Sequence, residues 1–221
     1  DGKFKTKSTA TGRWDYKQGL LIKPNYSHEC DATDIPIISV EIEPDSKLGS
    51  WILSEVFEDV PVFEYPSDRL KTIDFALLKR FLQAQSWAEV YIYFKEFFKL
   101  ADNSQISQRD QRISSVIEFI HDNIHETLNT EQLMEVSLLS ESRLLHLFKE
   151  QMGLPIRNYI LWYRLKVAIE QAMQGLSLTQ AAHLAGFSDQ AHFTRSCISM
   201  IGLPPSSIIK NSKFIQVSFL S

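Results

Sequence analysis

The chain echoes itself once, at an offset of 49 residues, and no other feature limits its fold as strongly. Leu144, Phe148, Gly153, Leu154 and Pro155 are followed by Phe193, Cys197, Gly202, Leu203 and Pro204. Upstream, Thr130 aligns with Thr179, Leu133 with Ala182 and Val136 with Ala185, while Ser137, Leu138 and His146 fall on Gly186, Phe187 and Arg195. A repeat of this length with helical spacing predicts two helix–turn–helix copies joined by one long segment. Two similar helices held in that way suit a long, regular ligand, and duplex DNA is the commonest one.

Local signals place the helices. Thr130 is positioned to cap a helix through Val136, and Ser140 the next, through about Met152. Pro155 opens a helix that runs through about Met173 and is closed by Gly175. Ser177 with Gln180 has capping-box spacing for a helix through Ala185, and Ser188 is expected to cap one through about Ile201. Ahead of the repeat, Ile113, Val116, Ile117, Ile120 and Ile124 form an apolar helical stripe. The last dozen residues carry no clear signal. Tight turns are predicted at Ser137-Leu138-Leu139 and Gly186-Phe187-Ser188. Between the copies, Ile156 to Met173 would span about 27 Å as a helix, near the ~34 Å between successive major-groove entries on one DNA face.

The second helix of such a unit lies in the groove with its N-terminal half toward base edges. Helical spacing turns Leu144, Leu147, Phe148, Phe193 and Cys197 inward. It turns Glu141, Ser142, Leu145 and His146 outward in the first copy, and Gln190, Ala191, Thr194 and Arg195 outward in the second. Arg195 has the fork that pairs with guanine O6/N7, and Gln190 the amide that pairs with adenine. Ser142, Thr194 and His146 are permissive polar contacts, and Leu145 and Ala191 suit thymine methyls. Lys149 completes the expected set as a cation on the first recognition helix.

Upstream of the repeat the signals change. From Phe4 to about Val62 they are short and strand-like, with β-branched or apolar runs at Leu20–Ile22 and Ile35–Ile42. Thr11-Gly12, Lys23-Pro24-Asn25, Glu43-Pro44-Asp45 and Leu48-Gly49-Ser50 punctuate them as turns. This predicts a small antiparallel β-unit, too short for a complete barrel, so further strands are expected ahead of Asp1. After Pro66, Ile73, Leu77, Leu78, Phe81 and Leu82, then Val90, Phe94, Phe97 and Phe98, predict an α-hairpin over about 70–84 and 86–100. Its apolar surplus suits packing on the β-unit or a dimer interface. The polar stretch 101–108 is the expected linker. The resulting expectation is an α+β chain. Residues 1–104 form a β-unit with an α-hairpin, 105–213 an all-α domain with two helix–turn–helix units on a long central helix, and 214–221 a tail.

Charge sharpens this outline. The net charge is −4, but residues 1–104 hold 13 Lys/Arg and 17 Asp/Glu, whereas 105–221 hold 10 of each. A neutral domain grips DNA only through a few placed cations, not a broad positive field. From Pro24 to Asp68 there are eleven acidic residues and one basic, Lys47. They form either a solvated face or, in a sharper reading, a rim that attracts a cationic effector. Cys30 and Cys197 are too few and too distant for a disulfide framework or zinc site. No apolar run approaches the ~20 residues that span a bilayer, and no signal peptide is recognised. A lone His28 in the first region does not build a metalloenzyme centre. Neither catalysis, a metal nor a cofactor is therefore expected. Trp14, His28 and Trp51 are the candidate effector contacts.

Residues from about Gln111 to Ile209 resemble the DNA-binding domain of AraC/XylS-type bacterial transcription regulators. The carriers are Leu144 with Leu147-Phe148-Lys149, Gly153-Leu154-Pro155, Tyr159-Ile160, Arg164-Leu165 and Ala168. They continue with Ala181-Ala182, Gly186-Phe187-Ser188-Asp189, His192-Phe193-Thr194-Arg195 and Gly202-Leu203-Pro204. The first region is similar to cupin-like sensor domains, through Leu21-Ile22-Lys23-Pro24-Asn25 with His28 and Ile42-Glu43-Pro44 before Gly49. The resemblance implies a cytoplasmic, sequence-specific regulator that binds double-stranded operator DNA as a homodimer. It also implies a small-molecule effector and contact with RNA polymerase. Arg164 fits a structural role bracing the two halves of the helical domain. Where the family pattern has Phe and then a cation, this chain has Cys197 and Ile198; where it ends near Tyr-Arg, this chain has Ile208 and Ile209. Those departures remove phosphate contacts and predict weaker, more salt-tolerant binding. They also motivate a rival expectation, an interaction protein of regulator shape with weakened DNA binding.

Overall fold

The computed structural model describes residues 2–8, 12–31, 40–57, 60–84, 86–98, 109–210 and 219–220. The chain divides into two units, one of Asp1–Ile106 with Lys213–Ser221 and one of Ser107–Ser212. The expected linker 101–108 and most of the Ile35–Ile42 run lie outside the described residues.

In the first unit, β1 (Phe4–Ser8), β2 (Trp14–Lys17), β3 (Leu20–Ile22) and β4 (His28–Asp31) precede β5 (Glu41–Ile42) and β6 (Val62–Glu64). Strands β2-β1-β4 make an antiparallel sheet, with Thr6 opposite both Asp15 and Cys30, and Lys7 opposite Trp14 and Glu29. A second antiparallel pair joins β3 to β6, with Leu20 opposite Glu64. The unit departs from a purely antiparallel pattern at β5, which pairs in parallel with β7 (Phe219–Leu220). Phe219 and Leu220, within the segment expected as a tail, therefore pair with this unit.

Residues 48–50, expected as a turn, lie inside helix α1 (Lys47–Glu55). Ser46 caps it: the Ser46 Oγ accepts from Gly49 N at 2.9 Å and donates to the Glu43 carbonyl at 2.7 Å. Gly49 is glycine because the helix presses on the preceding backbone, and a Cβ there would run into the Glu43 carbonyl. The expected 70–84 helix is broken into α2 (Ser67–Leu70) and α3 (Phe75–Gln83). The Asp74 carboxylate accepts from Leu77 N at 2.9 Å and so starts a fresh helix. Helix α4 (Trp87–Phe98) follows. Leu48, Ile52, Phe57, Leu78, Val90 and Phe94 form the core, with Leu21, Ile42, Trp51, Phe63 and Phe81 packed on it.

The second unit is all helical. It comprises α5 (Gln111–Asp122), α6 (Thr130–Ser137), α7 (Glu141–Met152), α8 (Ile156–Met173), α9 (Leu178–Leu184), α10 (Gln190–Ile201) and α11 (Pro205–Lys210). The isoleucine stripe of α5 is buried with Leu133, Leu144, Leu147, Phe148, Met152 and Tyr159 in one cluster. Leu165, Ala168, Ile169, Ala172, Ala181, Ala182, Phe187, Phe193 and Cys197 are buried in the second half. Leu154 and Pro155, and Leu203 and Pro204, follow left-handed helix ends at Gly153 and Gly202, so the repeated Gly-Leu-Pro is a repeated stop signal. Helix α11 follows the second Gly-Leu-Pro, where no helix was expected.

Candidate nucleic-acid interface

Helices α6–α7 and α9–α10 are the two helix–turn–helix copies, and α8 links them over 18 residues. In the first copy the cap of α6 is Asn129, one residue ahead of the expected Thr130. Its side chain accepts from Gln132 N at 2.9 Å, and Gln132 Oε1 accepts from Asn129 N at 3.0 Å. An amide at 129 wins because the following residue already has helical dihedrals. Ser140 precedes α7 but makes no side-chain cap bond. In the second copy Ser177 and Gln180 form the expected box. Asp189, not Ser188, caps α10, accepting from His192 N at 2.6 Å. That bond, with smaller help from Ser188 and the nearby Arg195 charge, holds the Asp189 carboxyl below its usual range.

The outward residues of α7 are Glu141, Ser142, Leu145, His146 and Lys149, all exposed. His146 Nδ1 lies 3.6 Å from Glu150, one turn on. On α10, Gln190, Ala191 and Arg195 are exposed and Thr194 is half-buried. Gln190 is held: the Thr179 hydroxyl donates to its Oε1 at 2.7 Å. Two exposed cations that the pattern did not single out, Arg143 and Arg157, lie in the first half of the unit. Their signal was their charge alone, without an aligned partner in the second copy. Ile198, at a position where the family pattern has a cation, is 48% exposed, and Ile208 is buried.

The two copies are locked together at one junction. The Arg164 Nε of α8 donates to the Ile124 carbonyl at 3.2 Å, and its Nη2 to the Glu126 carbonyl at 2.6 Å. Burial lowers the Arg164 pKa from its ordinary value, yet the guanidinium stays charged. Gly186, in the turn of the second copy, has φ +78 and sits against the same segment. A Cβ there would run into the Ile124 carbonyl oxygen, with Arg164 Nε 3.0 Å and His125 Cα 3.2 Å away. Arg164 thus ties the 124–126 segment, which leads from α5 into the first copy, to the central helix, and the second copy's turn seats on top of it.

The three candidate effector contacts are not brought together. Trp14 and His28 lie on opposite faces of the β2-β1-β4 sheet, because Trp14 shares the Lys7 face and His28 the Thr6 face. The Lys7 ammonium sits over the Trp14 ring, 5.5 Å from its centre, and Trp51 packs on the core around α1. His28 alone lines a cavity of about 310 Å³ between that sheet and the β3–β6 pair. Its walls are Leu20, Ile22, Val60, Pro61 and Val62 on one side and Thr6, Arg13, Asp15 and Lys17 on the other. Hydrogen bonding to Cys30 and to the Tyr26 carbonyl raises the His28 pKa. Among the described residues, no group of three or more His, Cys, Asp or Glu could hold a metal ion. None of the described helices is long and apolar enough to cross a membrane.

A family model for a helix-turn-helix domain matches residues 134–211. Both helix–turn–helix turns and helices α7 to α11 fall within that match. The chain is similar to part of the probable transcriptional regulator LumQ of Photobacterium leiognathi. The identity is 30% over 99 residues, 43% of this chain and 40% of that protein. It is also similar to the uncharacterized HTH-type transcriptional regulator YbfI of Bacillus subtilis (strain 168), with 29% identity over 89 residues, 40% of this chain and 32% of that one. The chain therefore spans well under half the length of these relatives. Among solved structures, a transcriptional regulator from Chromobacterium violaceum, described as having an AraC-type DNA-binding domain, aligns with a TM-score of 0.44 and 24% identity. The alignment covers 46% of this chain and 92% of that one.

Proposed function

We propose that the chain is a sequence-specific, DNA-binding transcription regulator. The observation that carries this is the pair of exposed helix faces, on α7 and α10, joined by one 18-residue helix. At about 1.5 Å per residue that helix is about 27 Å long, which suits two entries into neighbouring major-groove segments. In this function Arg195 reads guanine, Gln190 reads adenine, and Glu141, Ser142, Leu145, His146, Ala191 and Thr194 make the remaining base-edge contacts. Lys149 contacts phosphate. The first unit serves as a cupin-like sensor whose effector enters the cavity beside His28, and as a homodimer surface through the exposed Phe75 and Ile92 of α3 and α4. The regulator works in the cytoplasm alongside RNA polymerase.

The test is capture of genomic DNA fragments by the purified chain and by Arg195→Ala across a salt series. Enrichment of a few fragments, lost in the variant, is the expected result. A second reading, an interaction protein with weakened DNA binding, is favoured by exposed Ile198 and by the neutral charge of 105–221. A folded chain that enriches nothing at low salt, with or without cell extract, would replace the first reading by the second.

A further inference from the structure

We propose that Thr179 is a positioning residue for base reading: its hydroxyl holds the Gln190 carboxamide at the start of α10 and makes the second helix–turn–helix copy the selective one. This rests on the DNA-binding function proposed above and adds a residue to it that touches no base.

Thr179 stands in the first turn of α9 and Gln190 is the first residue of α10, so their 2.7 Å hydrogen bond spans the turn between the two helices. Both side chains are exposed, whereas Phe193 and Cys197 fill the opposite, buried side of α10. A glutamine amide loses most of its rotamer freedom when it pairs with a base edge, and one ordered beforehand has already lost it. With Oε1 turned toward Thr179, the two Nε2 donors and the remaining Oε1 lone pair face outward. One donor and one acceptor on adjacent atoms are what adenine N7 and N6 require.

The aligned positions in the first copy are Thr130 and Glu141, and there the same scheme is chemically closed. An ionised Glu141 only accepts hydrogen bonds and cannot donate to a purine N7. Helix α7 also begins without a side-chain cap bond at Ser140, whereas Asp189 caps α10. Exposed cations are divided the opposite way. Arg143 and Lys149 stand on α7, while α10 carries one exposed cation, Arg195, and exposes Ile198 at the position aligned with Lys149. Copy one thus carries more cations for phosphate beside its base-edge residues, whereas copy two carries the reader that is held in place, with Thr179 setting it.

The test selects sequences from a library of duplexes with a randomised centre, using the whole chain. Affinities for the enriched duplex and its single-base variants are then measured for wild type, Thr179→Val, Thr179→Ser, Gln190→Ala and the Thr179→Val/Gln190→Ala pair. Circular dichroism checks that each is folded. Thr179→Val should lower discrimination at one base pair about fivefold, the effect of one net hydrogen bond, without changing the salt slope. Thr179→Ser should keep most of it, and Thr179→Val should add nothing once Gln190 is Ala. Equal weakening on every duplex, or an undiminished Thr179→Val effect in the Gln190→Ala background, overturns the proposal. A selective wild type beside an indifferent Thr179→Val removes this inference alone, whereas a folded wild type that enriches no sequence removes the DNA-binding function with it.

Discussion

Replacing Gly186 by Ala is the sharpest probe of the junction that holds the two helix–turn–helix copies together. The position has φ +78, which costs a residue with a Cβ about 1–2 kcal/mol on its own. The added methyl would also run into the Ile124 carbonyl oxygen and come within 3.0 Å of Arg164 Nε. Relief requires the 124–126 segment to move, which stretches the Arg164 bonds to the Ile124 and Glu126 carbonyls. A bond to a charged group contributes about 1.5–3 kcal/mol. The sum is about 3–5 kcal/mol, a large share of the ~5–15 kcal/mol that stabilises a typical domain. Gly202 is the control: its φ is +85, but a Cβ there would have nothing within 4 Å. Gly202→Ala should therefore cost only the backbone penalty, about 1–2 kcal/mol. Urea unfolding followed by far-UV circular dichroism compares the two, with hydrogen exchange assigning the transition to 109–210. If Gly186→Ala costs no more than Gly202→Ala, the seat on Ile124 and Arg164 is not tight and the bracing account fails.

Four further outcomes follow from single sites. Leu138 has φ 54 and is 89% exposed, so Leu138→Gly relieves backbone strain without losing burial and should stabilise the second unit by about 0.5–1 kcal/mol in the same urea assay. Burial pushes the Cys197 thiol up to about 12, while Cys30 is exposed; a thiol reagent should modify one cysteine quickly and the other only after unfolding. The same shift has a stability consequence: an unfolded thiol ionises near pH 8.5 and the folded one does not. Stability is then undiminished below pH 8.5 and falls by up to about 1.4 kcal/mol per pH unit above it, a slope that Cys197→Ala should lack in urea titrations between pH 8 and 10.5. Lys149→Ala should weaken binding to all duplexes alike and flatten the log-affinity against log-salt slope by about 0.9, and a sequence-dependent loss would mean that Lys149 reads bases instead.

What was legible in the sequence was local. The order and extent of α5 to α10 followed from the isoleucine stripe, the Ser177–Gln180 box, Pro155 and the Gly-Leu-Pro stops, because each acts within four residues of itself. The errors there were of one residue, at Asn129 and Asp189, where a neighbouring polar side chain had equal capping chemistry. The first unit was read less well because its deciding contacts are tertiary. Gly49 looked like a turn signal, yet it is a helical glycine required by the approach of α1 to the Glu43 backbone. Trp14 and His28 were both candidate effector contacts, but β1 pairs with both of their strands and the pleat sends the two side chains to opposite faces.

The candidate interface divides along the same line. Which residues of α7 and α10 point outward was set by the helical period, since burying Leu144, Phe148, Phe193 and Cys197 leaves their neighbours no alternative. How those outward residues are held was invisible, because Thr179 reaches Gln190 across a turn whose geometry no spacing rule encodes; for Arg164 a bracing role was expected, but not its partners, the Ile124 and Glu126 carbonyls. That distinction bears on mutation. Under the proposed function, a change at Arg195 or Gln190 would remove a contact with DNA, whereas one at Thr179 or Gly186 would leave every contact residue in place and alter only its setting. Discrimination that falls while the salt slope stays constant would separate the second kind of defect from the loss of phosphate contacts at Lys149.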